Sequence, residues 1–248
     1  KLLRPDTTLV SVMAVNNEIG SIQPIHEIAA LLEDRPTVSF HVDAVQALAK
    51  VATEVYLPER VDFATFSSHK FHGLRGVGFV YIKEGKKITP LLTGGGQEKE
   101  MRSTTENVAG IAATAKALRL AMENQEAFAS KTQQMKEVIR KELANYPDVT
   151  IFSGEDHFAP HILTFGIKGV RGEVVVHAFE EFDIYISTTS ACSSKAGKPA
   201  GTLIAMGVDK SIAQTAVRLS LDLENDMSQV EQFLTKFKLI YEQTRKVR

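Results

Sequence analysis

The chain has 248 residues, of which 44% are hydrophobic and 24% are charged, and its formal net charge is −1. This composition is typical of a folded globular protein with one large domain or two smaller ones. The balanced charge argues against a direct nucleic-acid surface, and no apolar run approaches the ~18 residues of a membrane span. No signal-peptide pattern opens the chain, so we expect a cytoplasmic protein. Because Lys1 is not Met and the first apolar strand already lies inside a domain, we also expect the chain to begin part-way through a larger protein.

The first half of the chain alternates predicted strands with predicted helices. Apolar, β-branched runs predict the strands, at 8–15, 38–42, 63–66 and 77–82. Apolar residues at helical spacing predict the helices, at 24–33 and 108–122. This order is typical of a mostly parallel sheet with flanking helices, in which ligands bind beyond the carboxyl ends of the strands. Asn17, Asp43 and the segment 67–70 each follow a strand, so we expect them at one edge of the sheet.

The second half of the chain shows no strict alternation. Strands are predicted at 150–152, 161–167, 184–187 and 216–221. Helices are predicted at 128–143, 172–181, 201–206 and 230–245. The mixture predicts a smaller α+β domain. We place the boundary near residue 123, which gives domains 1–123 and 124–248.

One lysine stands in the polar turn between the strands 63–66 and 77–82. Lys70 follows two serines and a histidine and precedes three glycines, in Ser-Ser-His-Lys-Phe-His-Gly-Leu-Arg-Gly-Val-Gly. Glycines allow tight turns, and a lysine held at a strand end beside anion-binding groups suits an enzyme that forms a Schiff base. A polar hairpin with a solvated lysine explains the same pattern.

Asp43 ends the strand that precedes Lys70. An aspartate paired with a pyridine nitrogen keeps that nitrogen protonated, so that the ring accepts electrons from a substrate α-carbon. Gln46 could then donate a hydrogen bond to a ring oxygen. Asp43 could instead cap a helix. His41 with Asp43, or His69 with His72, supplies too few ligands for a metal, so no metal site is predicted.

Cys192 is the only cysteine, which excludes a disulfide within the chain. It lies in a small, polar segment, 187–198, close to Lys195 and Lys198. A structural cysteine usually has apolar neighbours, so the segment favours an accessible thiol, with a lowered pKa, over a buried one.

Two other segments carry groups that suit anions. Arg218 interrupts the apolar strand 216–221, where its forked guanidinium suits a substrate carboxylate unless the strand is an edge strand and the arginine points to water. The glycine loop 91–97 continues through an arginine and several hydroxyls, Thr105 among them, to a helix start. It could bind a phosphate or act only as a connector.

Six motifs in order resemble those of cysteine desulfurases of the NifS/IscS type, in the class V aminotransferase group of fold-type I pyridoxal-phosphate enzymes. They lie at 12–20, 41–46, 67–70, 94–107, 190–194 and 218–221. The Ser-Ala-Cys-Ser-Ser motif at 190–194 is similar to the NifS/IscS branch and lacks the Arg-x-Gly-His-His-Cys pattern of the SufS-like branch.

The resemblance implies a cofactor site in the larger domain. Lys70 would form the internal aldimine of pyridoxal 5'-phosphate and move protons at the substrate α-carbon. Asp43 would pair with the pyridine nitrogen, and Gln46 would contact the ring hydroxyl. Ser67 and His69 would bind the phosphate.

The resemblance also implies a homodimer and a sulfur-transfer reaction. Thr105 would reach the phosphate of the other subunit's cofactor, while Asn17 and Arg218 would hold the substrate carboxylate. Cys192 would attack the sulfur of bound L-cysteine, which leaves L-alanine and a persulfide. An acceptor protein would receive that sulfur, for example in iron-sulfur cluster assembly or tRNA thiolation.

Rival functions use the same scaffold. A selenocysteine lyase or another class V aminotransferase is the nearest alternative, and a non-catalytic sulfur-trafficking scaffold is the alternative of a different kind. The family's N-terminal region, with a phosphate cup and a histidine stacked on the ring, has no counterpart before Lys1. We therefore expect this fragment alone to be inactive.

Overall fold

The computed structural model describes residues 2–189 and 201–247, which form two compact units. The first unit comprises Lys1–Ala14 and Gln23–Gln125, and the second comprises Val15–Ile22 and Glu126–Arg248. The short segment Val15–Ile22 belongs to the second unit although it directly follows the first strand. Within the described residues, no helix combines the length and apolar character needed to cross a membrane.

The first unit contains a four-stranded, mostly parallel sheet, as predicted. Its strands are β1 (Leu9–Met13), β2 (Ser39–Asp43), β3 (Phe63–Ser67) and β4 (Gly78–Ile82), in that spatial order. The first three are parallel, and β4 pairs antiparallel with β3. Its helices are α1 (Ile25–Leu31), α2 (Thr53–Tyr56) and α3 (Val108–Glu123), and a 3₁₀ turn covers Ser68–Phe71. The strand bounds lie within a few residues of those that apolar patterning predicts.

Buried apolar side chains alternate with less buried ones along β2 and β3, so one face of the sheet forms part of the core. Phe40, Val42 and Ala64 are fully buried on one face of β2 and β3. The opposite face carries polar groups, including His41 and Asp43.

A buried carboxylate, Asp62, precedes β3. Burial by itself would raise its pKa, but hydrogen bonds from Phe40 N–H, Lys86 and Arg60 outweigh burial and lower it, so the carboxylate is charged.

The second unit contains an antiparallel sheet with helices, which agrees with the predicted α+β character. Its strands are β5 (Val149–Ile151), β6 (Ile162–Ile167), β7 (Ser187–Thr188) and β8 (Ala216–Ser220), in the spatial order β5-β6-β8-β7. Its helices are α4 (Gln125–Leu143), α5 (Gly172–Glu180), α6 (Gly201–Ala205), α7 (Lys210–Ala213) and α8 (Met227–Val247). Strand β6 is buried along its whole length, and the rings of Phe179 and Phe233 stack at 5.0 Å in the same core.

Candidate functional site

The turn that carries Lys70 is fixed by buried contacts beneath it. The Ser68 hydroxyl lies 2.9 Å from that of Thr114 on α3, which itself donates to the Gly110 carbonyl at 2.8 Å. A Cβ added to Gly73 would lie 1.9 Å from Ser68 Oγ, so only glycine fits there. His69 is exposed and Lys70 half-buried, and the Lys50 ammonium donates to the Lys70 carbonyl. A rigid turn therefore presents Lys70 at the carboxyl end of β3.

Asp43 lies at the carboxyl end of the neighbouring strand. It is the last residue of β2 and pairs in register with Thr65 of β3, two residues before Ser67. Its Oδ1 accepts from Val45 N–H at 3.0 Å, so the aspartate caps the turn that follows β2. The carboxylate remains exposed, and Gln46 in that turn is half-buried. The capping role is compatible with ligand binding, because the Val45 bond uses only one of the two carboxylate oxygens of Asp43.

His41 is a polar residue of this region that sequence reasoning considered only as a metal ligand. Its Nδ1 lies 2.7 Å from Ser11 Oγ on β1, and its Nε2 lies 3.1 Å from Thr65 Oγ1 on β3. Burial lowers the pKa of His41, and the Asp43 carboxylate opposes part of that decrease. His41 therefore links three strands directly beside Asp43. A lone histidine in a strand gives no sign of such a role.

Thr105 is exposed in the segment before α3. The next helix is capped by Asn107, whose Oδ1 accepts from Gly110 N–H at 3.0 Å. In the glycine loop, the Gly95 N–H donates to Ser103 Oγ at 2.7 Å. No hydrogen bond joins Thr105 to the other predicted cofactor residues within the described part of the chain. Its role toward a phosphate stays a prediction.

The second unit brings Asn17 and Arg218 together. Arg218 on β8 is half-buried, and its Nη1 donates to the Asn17 carbonyl at 2.7 Å. Strand β8 lies between β6 and β7, so the alternative of an edge strand with Arg218 pointing to water is wrong. The Asn16 side chain shapes the turn, because its Oδ1 accepts from Glu18 N–H at 2.8 Å and from Ile19 N–H at 3.0 Å.

Four successive carbonyls of this turn accept hydrogen bonds from other parts of the second unit. The donors to residues 17–20 are, in order, Arg218 Nη1, Thr164 Oγ1 at 2.6 Å, Ser153 Oγ at 2.7 Å and Ala159 N at 2.7 Å. These contacts explain why Val15–Ile22 belongs to this unit. Sequence reasoning missed Ser153 and Thr164, because single hydroxyls in apolar segments carry no pattern.

Cys192 and the motif around it lie outside the described residues, which end at 189 and resume at 201. The predictions that the thiol is accessible and that it attacks a bound sulfur therefore stay predictions from the sequence.

A buried lysine supports the segment that holds the turn. Lys136 on α4 is 3% exposed, and its ammonium donates to the Ala159 carbonyl at 2.8 Å. Burial lowers the pKa of Lys136, nearby Arg140 adds to the decrease and Glu137 opposes part of it, so that the pKa is about 8. Ala159 in turn donates its N–H to Gly20. Lys136 thus acts on the turn through one intervening residue.

We expect the stability that Lys136 confers to rise with pH. Its pKa in the folded state, about 8, is below the unfolded value of 10.5, so the unfolded chain binds more protons between these values. From pH 7 to pH 10.5, the free energy of unfolding should therefore rise relative to a Lys136→Met variant by at most about 3 kcal/mol. Urea unfolding of both proteins at several pH values measures this difference. The matched control is Lys141→Met, an exposed lysine of the same helix; an equal pH dependence in both variants would contradict the prediction.

Comparisons with known proteins agree with this architecture. The family model described as Aminotransferase class-V matches residues 1–233. A NifS/IcsS protein homolog of Lactobacillus delbrueckii subsp. bulgaricus is 52% identical over 246 residues, which cover 99% of this chain and 64% of that protein. A cysteine desulfurase IscS of Clostridium botulinum is 38% identical over 245 residues, covering 98% of this chain and 61% of that protein.

Solved structures show the same similarity. A NifS-like protein matches with a TM-score of 0.86 and 36% identity, covering 98% of this chain and 63% of that one. A NifS-like protein from Rickettsia africae matches with a TM-score of 0.84 and 31% identity, covering 95% and 62%. The chain thus spans 61% to 64% of the length of the two curated relatives. From the match over residues 1–233, together with these NifS- and IscS-type relatives, the chain belongs to the class-V aminotransferase family.

Proposed function

We propose that this chain provides most of the catalytic residues of a pyridoxal-phosphate-dependent cysteine desulfurase. The observation that carries the proposal is the placement of Lys70 and Asp43 at the carboxyl ends of two neighbouring parallel strands. The carboxyl ends of parallel strands are where open α/β sheets bind ligands. The names of the relatives, cysteine desulfurases among them, supply the reaction class.

The side chains at these strand ends fit pyridoxal phosphate by their chemistry. The half-buried amine of Lys70 suits the aldehyde group, and the exposed carboxylate of Asp43 suits the pyridine nitrogen. The Ser67 hydroxyl and the exposed His69 imidazole are donors for a phosphate. When bound, the cofactor supplies a ring that takes up electrons from the substrate α-carbon.

Each residue of this group then has a defined task. Lys70 holds the cofactor and moves the proton at the substrate α-carbon. Asp43 keeps the pyridine nitrogen protonated, because a carboxylate beside it favours the charged form. Gln46 would donate a hydrogen bond to the ring hydroxyl. Thr105 would reach the phosphate of the cofactor bound by the partner subunit of a homodimer.

In the second unit, Asn17 and Arg218 bind the substrate carboxylate. A guanidinium presents its N–H donors in a fork that matches a carboxylate. The hydrogen bond from Arg218 Nη1 to the Asn17 carbonyl fixes the two residues relative to each other. Binding therefore requires little rearrangement of either residue, which favours affinity for the amino acid.

Sulfur transfer uses the only cysteine of the chain. The Cys192 thiolate forms a bond to the sulfur of the bound L-cysteine while the substrate's carbon–sulfur bond breaks. The electron pair of that bond stays on carbon, where protonation yields L-alanine. The persulfide on Cys192 then passes its outer sulfur to a thiol of an acceptor protein.

The proposal is tested by trapping the cofactor and by measuring both products. We expect borohydride reduction of the full-length protein with pyridoxal phosphate to fix the cofactor to Lys70, as read by peptide mass spectrometry. With L-cysteine and a thiol reductant, sulfide and alanine should form in equal amounts. Amino transfer to a 2-oxo acid without sulfide would instead support an aminotransferase, and labelling of another lysine would contradict the assignment of Lys70.

A further inference from the structure

We infer that Glu18 is a positioning residue for amino-acid binding, which ties the turn carrying Asn17 to the first turn of α6. This inference rests on the proposed function, because it assigns Asn17 to the substrate carboxylate. Glu18 lies beside Asn17 in the motif 12–20, but the family resemblance assigns it no role.

The side chain of Glu18 contacts α6. Its Oε2 accepts from the backbone N–H of Thr202 at 3.1 Å. A second contact joins the same two segments, since Asn16 Nδ2 donates to Thr202 Oγ1 at 3.3 Å. The partners are 184 and 186 residues apart in the chain, so these bonds exist only in the folded protein.

An apolar cluster also includes residues of both segments. Ile19 is 2% exposed and Leu203 is fully buried, and both belong to a small cluster with Ala213 and Ala216. Residues 18 and 19 of the turn are thus joined to residues 202 and 203 of α6 by a hydrogen bond and by membership of one apolar cluster. Such paired contacts define the position of a segment better than a single hydrogen bond does, because rotation about one would break the other.

These contacts complete a frame around Asn17. The carbonyls of residues 17–20 are held from the side of the sheet, and Glu18 with Asn16 holds the turn from the side of α6. The Asn17 side-chain amide makes no hydrogen bond within the described part of the chain. A frame that fixes the backbone and leaves this amide for a ligand is the arrangement expected of a preorganised binding residue.

The test compares variants that remove each contact separately. Glu18→Ala removes the acceptor of the Thr202 N–H, Glu18→Gln keeps an acceptor oxygen without the charge, and Thr202→Val removes only the contact with Asn16. In the full-length protein we expect Glu18→Ala to raise KM for L-cysteine about tenfold with kcat changed less than about threefold. Glu18→Gln should restore KM to within about threefold, and Thr202→Val should give an intermediate value.

Two further measurements separate positioning from general structure. Binding of the product L-alanine by calorimetry should weaken in Glu18→Ala by the same factor as KM rises, whereas Tm should resemble that of the exposed control Glu231→Ala. An unchanged KM and alanine affinity, or a loss of kcat and Tm alone, would overturn the inference. If the unmodified protein releases no sulfide, the proposed function fails, and alanine binding still decides whether Glu18 positions an amino-acid site.

Discussion

Replacement of Lys70 by alanine is expected to lower sulfide release by at least about a thousandfold, because under the proposed function the variant loses both the cofactor-holding amine and the acid–base group. The side chain of Lys70 makes no hydrogen bond within the described residues, so the fold should survive. Steady-state sulfide and alanine assays, with Tm as a measure of folding, test this expectation.

Two substitutions sharpen the test of Lys70. Lys70→Arg keeps the positive charge, but a guanidinium that stays protonated cannot act as the nucleophile, so activity should not return. Lys87→Ala removes an exposed lysine of the same unit and should leave activity unchanged. Appreciable sulfide release by either Lys70 variant would show that another amine does the chemistry.

Replacement of Cys192 by alanine is expected to reduce sulfide release by at least about a hundredfold while borohydride still fixes the cofactor to Lys70. The reason is that a nucleophilic thiol on this chain can only be Cys192. Mass spectrometry after incubation with L-cysteine should find one added sulfur atom on the Cys192 peptide. Cys192→Ser provides the control of similar size, since a hydroxyl cannot form a persulfide.

The same Cys192→Ala assays also distinguish cysteine desulfurase activity from aminotransferase activity. A transaminase needs no thiol, so amino transfer that survives in Cys192→Ala without any loss would favour the aminotransferase alternative. Sulfide release that persists in the variant would contradict the role of Cys192 in this chain.

Much of the fold follows from local patterns. The amphipathic periods that predict helices at 128–143 and 230–245 correspond to α4 and α8, because long helices accumulate a strong 3.6-residue signal. The hairpin of β3 and β4 follows from two apolar runs around glycines. Helices α2 and α7, with four residues each, escape prediction because one turn contains no period. The strand predicted at 184–187 shortens to two residues of β7.

The candidate site is predictable only where chain order implies proximity. Asp43 and Lys70 come together because consecutive parallel strands end at the same sheet edge. The bond of Arg218 to the Asn17 carbonyl has no local sign in the sequence, and the family resemblance implies only that both residues hold the substrate carboxylate. The bond between Glu18 and Thr202 could not be predicted, because nothing in either residue type indicates a partner 184 residues away in the chain.

The bond between Asn17 and Arg218 has a consequence for how the protein is made. These residues are 201 positions apart. A ribosome adds about 5–20 residues per second, so Asn17 is synthesised roughly 10–40 s before Arg218 exists. Strands β1 to β4 can pair during this interval, but the carbonyls of residues 17–20 must wait for donors that are translated later. The turn that carries Asn17 is therefore completed only after Arg218 has been translated, and nascent chains that stop before Arg218 contain it only in unfinished form.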